Sequence, residues 1–322
     1  MSKKFVAGKS NSNRDTADNE LVGGVSGLSA TTSTEAALIP QYGGINNSAR
    51  GTNATVAGGA GNSAVGSHAA VAAGESNQAS SDHATVSGGQ NNSASAPKAT
   101  VGGGQSNQAN GNHATVPGGV GNVAGADDSL AAGSHANVQS AHHGAMLFSD
   151  DSGVSTLVNP PPFNSVAPNE FAVRCTGGSR FVTAIDSKGS PTSGVTLAAG
   201  GGSWSSLSDR NVKENFENVD GVKLLERLDR ISVTEWNYKT QDSAVRHLGP
   251  TAQDFHAEFG LGEDNLHISM VDADGIAFAS IQALYRMNLT LKQENRILKE
   301  NIKQIRSRLT NLEKSVGPTR AC

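Results

Sequence analysis

Ser208 and Lys213 stand five residues apart in SWSSLSDRNVKENF, residues 203–216. A serine hydroxyl is a poor nucleophile until a base takes its proton. A lysine amine can be that base only when neutral, and burial favours the neutral form. If residues 209–213 make a turn or the first turn of a helix, the two side chains can meet. The same stretch also reads as a helix start, with Ser208 as N-cap and Asp209 and Glu214 near the positive end of the helix dipole. Both readings can hold at once.

Other residue groupings promise less chemistry. Positions 68, 83, 98, 113, 128 and 143 read His68, His83, Lys98, His113, Asp128 and His143. Histidines stacked at one spacing could hold a metal, but Lys98 and Asp128 interrupt the column, and a solvated turn accounts for it without one. Asp272 and Asp274 in VDADG read as a tight turn ahead of a long helix, and two carboxylates fall short of a calcium ligand set. No metal and no cofactor are expected. No catalytic carboxylate pair stands out in the Gly-rich part, so a glycosidase is not expected. Cys175 and the last residue, Cys322, do not make a disulfide framework.

The elements around the Ser/Lys pair differ sharply on its two sides. Residues 1–207 carry 9 Lys/Arg and 12 Asp/Glu, against 16 and 17 in the shorter stretch 208–322, which marks a domain boundary at Ser208. The chain is 322 residues long with 38 glycines and only 4% aromatics, so a thick core is not expected over most of its length. The net charge of −4 does not suggest nucleic-acid binding. No apolar run is long enough for a membrane span or, behind the two N-terminal lysines, a secretory signal.

Upstream, Val56, Val71, Val86, Val101 and Val116 repeat every 15 residues. So do glycines from Gly44 to Gly119, asparagines from Asn47 to Asn122 and alanines from Ala49 to Ala124. The unit A-T-V-x-G-G-x-x-N-x-A-x-x-x-x runs over residues 40–148 in about seven copies and predicts a solenoid of two short strands and two turns per coil. The asparagine suits a turn position. The inward Val and Ala are small, so several chains winding together are expected to complete the core. Residues 1–39 stand apart as an N-terminal segment, flexible or used for attachment. Residues 149–207 read as a Pro-rich connector, VNPPPF, followed by a β-hairpin across Gly177–Gly178 in FAVRCTGGSRFVTAID.

Downstream, residues 276–316 read as a coiled coil of about five heptads. Positions a are Ile281, Asn288, Asn295, Ile302 and Leu309; positions d are Leu284, Leu291, Leu298, Ile305 and Leu312; Gly317–Pro318 ends the run. Asn288 and Asn295 cost stability but fix register and strand number. The a/d mix does not decide between two and three strands; the repeat upstream favours three.

The repeats resemble the heads of trimeric autotransporter adhesins, which implies a left-handed β-roll shared by three chains. The segment from about Asn169 through the coiled coil resembles the chaperone-of-endosialidase family, an intramolecular chaperone and autoprotease at the C-terminus of phage tailspikes and fibres. The resemblance rests on Ser208-Asp209-x-x-x-Lys213, Trp236-Asn237-Tyr238, Arg246-His247-x-Gly249-Pro250, Ala252-Gln253-Asp254-Phe255 and Val271-Asp272-x-Asp274-Gly275, in that order. It implies a mainly β head, then an α+β domain over 208–322 that ends in the trimeric coiled coil. It also implies a cut between Leu207 and Ser208, with Ser208 as nucleophile and Lys213 as general base. Asp209, His247, Gln253 and Asp254 are the candidates for support; His247 reads equally as a structural histidine, and Phe255 and Phe259 read as core. The implied partners are two further copies of the chain, with a host-surface receptor or other tail proteins beyond them, and the implied location is a virion tail. The alternative is a structural adhesin whose C-terminal domain trimerises it and stays attached.

Overall fold

The computed structural model describes residues 44–152 and 161–316. The segment 1–39, the connector residues Val158, Asn159 and Pro160, and the Gly317–Pro318 stop lie outside the described residues.

The repeat builds a β-solenoid of about seven turns. One parallel sheet stacks the Ser/Gln-Ala strands, from Ser48–Ala49 through Ser63–Ala64 to Gln108–Ala109 and beyond. The other stacks the strands that end in valine, from Thr55–Val56 through Thr85–Val86 to Thr115–Val116 and beyond. Pairing joins residues 15 apart: Ala49 to Ala64 to Ala79, and Val56 to Val71 to Val86. Each strand is two residues long, so each contributes one inward and one outward side chain. The inward ones, the alanine and valine columns, are at most 2% exposed from Ala49 to Val116. The coil therefore closes around its small residues within one chain, and the head does not need neighbouring chains to bury that core. The regular spacing of small side chains lets the two sheets pack face to face around them.

The glycine column is equally constrained. Gly89 sits at φ +84, and a Cβ there would lie 2.1 Å from the carbonyl oxygen of Gly104 in the next coil. Only glycine fits that corner.

The asparagine column stands at the corner ahead of each Ser/Gln-Ala strand, with its side chain inside the coil rather than in water. Asn62, Asn77, Asn92, Asn107 and Asn122 are buried. Each Oδ1 accepts the backbone N–H of the equivalent residue one coil on, as in Asn77 Oδ1 from Asn92 N at 3.0 Å. Each Nδ2 donates to two carbonyls, for Asn92 those of Gly88 and Gly104, both at 2.9 Å. A short amide is the one side chain that satisfies three backbone groups at a corner too tight for water. Asn92→Ala would leave these groups unpaired at about 1–3 kcal/mol each. We expect a loss of about 3 kcal/mol and a thermal midpoint several degrees lower, read by circular dichroism. An unchanged midpoint would contradict a structural ladder.

The period breaks near the end of the head. Thr115 pairs with Leu130, but Leu130 pairs with Met146, a step of 16, and Ala124 pairs with Val138, a step of 14. Phe171–Arg174 then pairs in parallel with Met146–Ser149. FAVR therefore belongs to the solenoid, which corrects the expected hairpin across Gly177–Gly178. The Gly pair only turns the chain, with Gly178 N–H donating to Cys175 O at 2.9 Å. The hairpin lies one strand later: Ser179–Ile185, Pro191–Leu197 and Trp204–Ser206 form a three-stranded sheet with Pro191–Leu197 in the middle. Its tight turn is built by Asp186, whose carboxylate accepts from Lys188 N and Ser190 N at 2.8 Å each. Apolar alternation marks both strands alike and does not say which neighbour each will choose.

The chain divides into two compact units, 1–181 with 196–204, and 182–195 with 205–322. In the second unit three helices follow: α1 (Gly221–Arg230), α2 (Ala252–Phe259) and α3 (Met270–Val316). Asp220 caps α1 by accepting from Val222 N and Lys223 N. Thr251 caps α2, and Gly260 ends it at φ 59. Leu224, Ile231, Phe255, Phe259 and Ile276 pack into one small core, as expected of the two phenylalanines. Gly221 packs where a Cβ would lie 2.7 Å from Ala283 Cβ, so α1 and α3 touch at a glycine. Arg227 donates to the carbonyl of Glu258, and Arg230 pairs with its carboxylate at 2.8 Å, tying α1 to α2.

Helix α3 runs unbroken for 47 residues. Asp272 and Asp274 are part of it, which corrects the tight-turn reading; Asp272 N–H and Ala273 N–H bond to Ser269 O, and Asp272 suits the first turn. The apolar a and d positions, Ile281, Leu284, Leu291, Leu298, Ile302, Ile305, Leu309 and Leu312, are all 49–64% exposed in the single chain. No helix among the described residues is long and apolar enough to cross a membrane.

Candidate functional site

The strand Trp204–Ser206 delivers the chain to Leu207, whose N–H donates to Gly194 O on the neighbouring strand at 2.9 Å. Ser208 follows outside the ladder. Asp209 then caps a single 3-10 turn, Arg210–Val212. Its carboxylate accepts from Asn211 N at 2.9 Å and from Asn211 Nδ2 at 3.0 Å. Val212 N–H and Lys213 N–H bond back to Asp209 O and Arg210 O. The cap is thus Asp209, one residue later than the N-cap reading of Ser208.

This turn reverses the chain and sends Lys213 back to its start. Lys213 Nζ donates to Ser208 Oγ at 2.6 Å. The pairing follows from the spacing: one 3-10 turn between the two residues brings i and i+5 side by side. Arg210 lies over the Phe216 ring, 5.0 Å from its centroid, and packs the outer side of the turn. Ser208 and Lys213 are both exposed in the single chain. Apolar side chains around them are also in water, Leu207 at 40%, Val212 at 37% and Phe216 at 61%.

Among the described residues, His247, Gln253 and Asp254 make no hydrogen bond to either member of the pair. His247 lies on the strand His247–Gly249, opposite Trp236 of Thr234–Trp236. Its ring packs 4.8 Å from that of Trp236 and 5.6 Å from that of Tyr238, and Nε2 meets Gln241 Oε1 at 2.9 Å. These contacts match the structural reading of the histidine. Gln253 and Asp254 lie in the first turn of α2, where Asp254 N–H donates to Thr251 Oγ1 at 3.2 Å.

The histidine column of the head resolves as a turn column. His68, His83, Lys98, His113 and Asp128 all sit at φ 55 to 59, so one backbone turn is repeated along the column. The rings of His68 and His83 stack at 4.8 Å, and His113 pairs with Asp128 at 3.4 Å. His143 drops out of the column, because the 16-residue step puts Gly144 level with Asp128; His143 lies beside Asp127 at 3.8 Å instead. Hydrogen bonds from Asn112 hold the Asp127 carboxyl below its ordinary pKa. Among the described residues, no group of three or more His, Cys, Asp and Glu is placed to hold a metal ion.

The part that reading the sequence missed is the backbone bond from Leu207 to Gly194. A ladder bond leaves no side-chain signature, and the only hint is a glycine inside the strand PTSGVTL.

No curated protein matches the chain. The family model described as chaperone of endosialidase matches residues 208–260. That span holds the Ser208 pair, the Trp236 and His247 strands and α2, and stops short of Val271–Gly275 and of most of α3. The stretch that begins at Ser208 and carries the Ser/Lys pair is therefore similar, over residues 208–260, to the chaperone-of-endosialidase family.

Proposed function

We propose that this chain is a trimeric tail-fibre or tailspike-like protein of a virion, whose C-terminal domain aligns three chains and then cuts itself off between Leu207 and Ser208. The observation that carries this reading is the 2.6 Å contact between Lys213 Nζ and Ser208 Oγ within a chaperone-of-endosialidase segment. With Lys213 neutral, its amine takes the Ser208 hydroxyl proton as Oγ attacks the Leu207 carbonyl carbon. The Leu207–Ser208 C–N bond breaks, the proton passes to the departing amine, and an ester joins Leu207 to Ser208 Oγ. Water then hydrolyses the ester, leaving a carboxylate at Leu207 and a free hydroxyl on Ser208. Covalent connection of nucleophile and substrate supplies the proximity.

A lysine acting as base works best away from water, and two neighbouring chains would cover the exposed Lys213 in this reading. The exposed apolar stripe of α3 gives those chains a parallel seam, and Leu207, Val212 and Phe216 give them apolar surface beside the pair. The same exposure favours the second reading, a trimerisation module that stays attached to a structural adhesin. Native mass spectrometry separates the two. The cleaving reading expects a homotrimer whose chains resolve into 1–207 and 208–322 without added protease. A trimer of full-length chains would leave the attached module, and a monomer or dimer at micromolar concentration would exclude both.

A further inference from the structure

We propose that the hydrogen bond from Leu207 N–H to Gly194 O makes the strand Pro191–Leu197 a positioning element for the cut, holding the scissile carbonyl in place for Ser208. The inference rests on the cleaving reading above and adds the substrate side to it.

The peptide bond between Leu207 and Ser208 lies between two fixed pieces of backbone. On its N-terminal side the last ladder bond, at 2.9 Å, holds Leu207 to Gly194. On its C-terminal side the Asp209 carboxylate and the 3-10 turn hold the stretch that brings Lys213 to Ser208. The turn orients the nucleophile and its base, but nothing in it orients the carbonyl to be attacked. That carbonyl belongs to Leu207, and the orientation of Leu207 is set by the strand. Attack requires the oxygen to approach the carbonyl carbon along a narrow range of directions, and a displacement of about 1 Å costs on the order of 10²-fold in rate. A free end at Leu207 would sweep far more than that.

Gly194 suits this task. Its φ of +148 is a conformation that other residues rarely adopt, and it falls at the residue whose carbonyl accepts from Leu207. The next contact along is a side-chain one, Thr183 Oγ1 donating to Ser193 Oγ at 3.0 Å, which ties the acceptor strand to the outer strand of the hairpin. The hairpin upstream of the cut is, on this view, part of the cutting apparatus, although it stays with the head once the cut is made.

The test removes one hydrogen-bond donor. Nonsense suppression with the α-hydroxy analogue of leucine replaces Leu207 N–H by an ester oxygen and leaves every side chain in place. The full-length chain is assembled, and the first-order rate of the 207/208 cut is followed by mass at several pH values. We expect a rate 10- to 100-fold lower at unchanged trimer yield, with the shape of the pH profile unchanged, because Ser208 and Lys213 are intact. A purely structural bond would lower trimer yield or thermal midpoint and spare the rate within assembled trimers. Spontaneous hydrolysis of the new ester gives fragments one residue different and is told apart by mass. If the ester chain does not assemble, Gly194→Val, which displaces the acceptor, gives the same readout. A wild-type chain that never cuts would overturn the cleaving reading itself. A wild-type chain that cuts no faster than the ester chain would overturn only the role of Gly194.

Discussion

Ser208→Ala and Lys213→Ala chains are expected to stay at full-length mass under conditions in which the wild-type chain separates into 1–207 and 208–322. The two variants fail for different reasons. Alanine at 208 removes the atom proposed to attack. Alanine at 213 leaves the hydroxyl but removes the only amine within hydrogen-bond distance of it among the described residues, at 2.6 Å. Each loss should slow the cut by on the order of 10³-fold or more, since nucleophile and base act as one unit. Lys213→Arg sharpens the test. A guanidinium can still donate a hydrogen bond to Ser208 Oγ but cannot give up a proton at any pH the fold survives. If Lys213 merely tethered the turn, arginine would restore cleavage; if it is the base, arginine will be as inactive as alanine. Asp209 lies on the other side of this distinction. Its carboxylate caps the turn through Asn211, so Asn at 209 should preserve the geometry that Ala would loosen. Cleavage of the Ser208→Ala chain at the same bond and rate would mean that another protease makes the cut.

The solenoid and its period were legible from the spacing alone, because a 15-residue unit with one valine, two alanines, one asparagine and one glycine in fixed places has few ways to fold. What the spacing concealed was the direction of the asparagines. A polar residue beside a glycine suggests a turn in water, yet a short amide that meets three backbone groups is better used inside, as Asn92 is. The pairing of FAVR was misread for a related reason: alternation reports that a strand exists, and only the competition between neighbours decides its partner. At the site, the Ser208–Lys213 meeting could be read because it depends on residue types five apart. The bond from Leu207 to Gly194 could not, because backbone groups are the same at every position. His247 was visible as a residue that chemistry could use, and its aromatic neighbours were visible as well, but the sequence does not say that Trp236, Tyr238 and Gln241 would occupy it.

On the proposed reading, the largest expected consequence of the cut is on how fast an assembled trimer comes apart, and it follows from the repeat. A slip of 15 residues between chains would set each outward-facing column of one coil against the same column of the next, so the repeat carries little information about absolute register. That information is concentrated near the C-terminal end. The steps of 14 and 16 residues occur only after Thr115, the larger side chains Leu147, Phe148 and Phe171 follow, and the long stripe of α3 lies beyond them. Chains aligned there would wind toward the N-terminus. While the helical end remains attached, it offers the same path in reverse: fraying begins where the chains were first held, and the chains can separate and re-pair. Once 208–322 has left, loss of a chain requires the packed outer faces of neighbouring solenoids to part along their length, and resistance becomes a matter of barrier height. Wild-type trimers are therefore expected to survive SDS at temperatures that dissociate Ser208→Ala trimers, and to lose trimer in denaturant slower by on the order of tenfold or more. The yield of trimer on first assembly should be similar for both, since alignment precedes the cut. Equal rates of trimer loss would place the C-terminal domain as an appendage and leave the cut without a part in stability, whereas a lower yield for Ser208→Ala would mean that the cut assists winding itself.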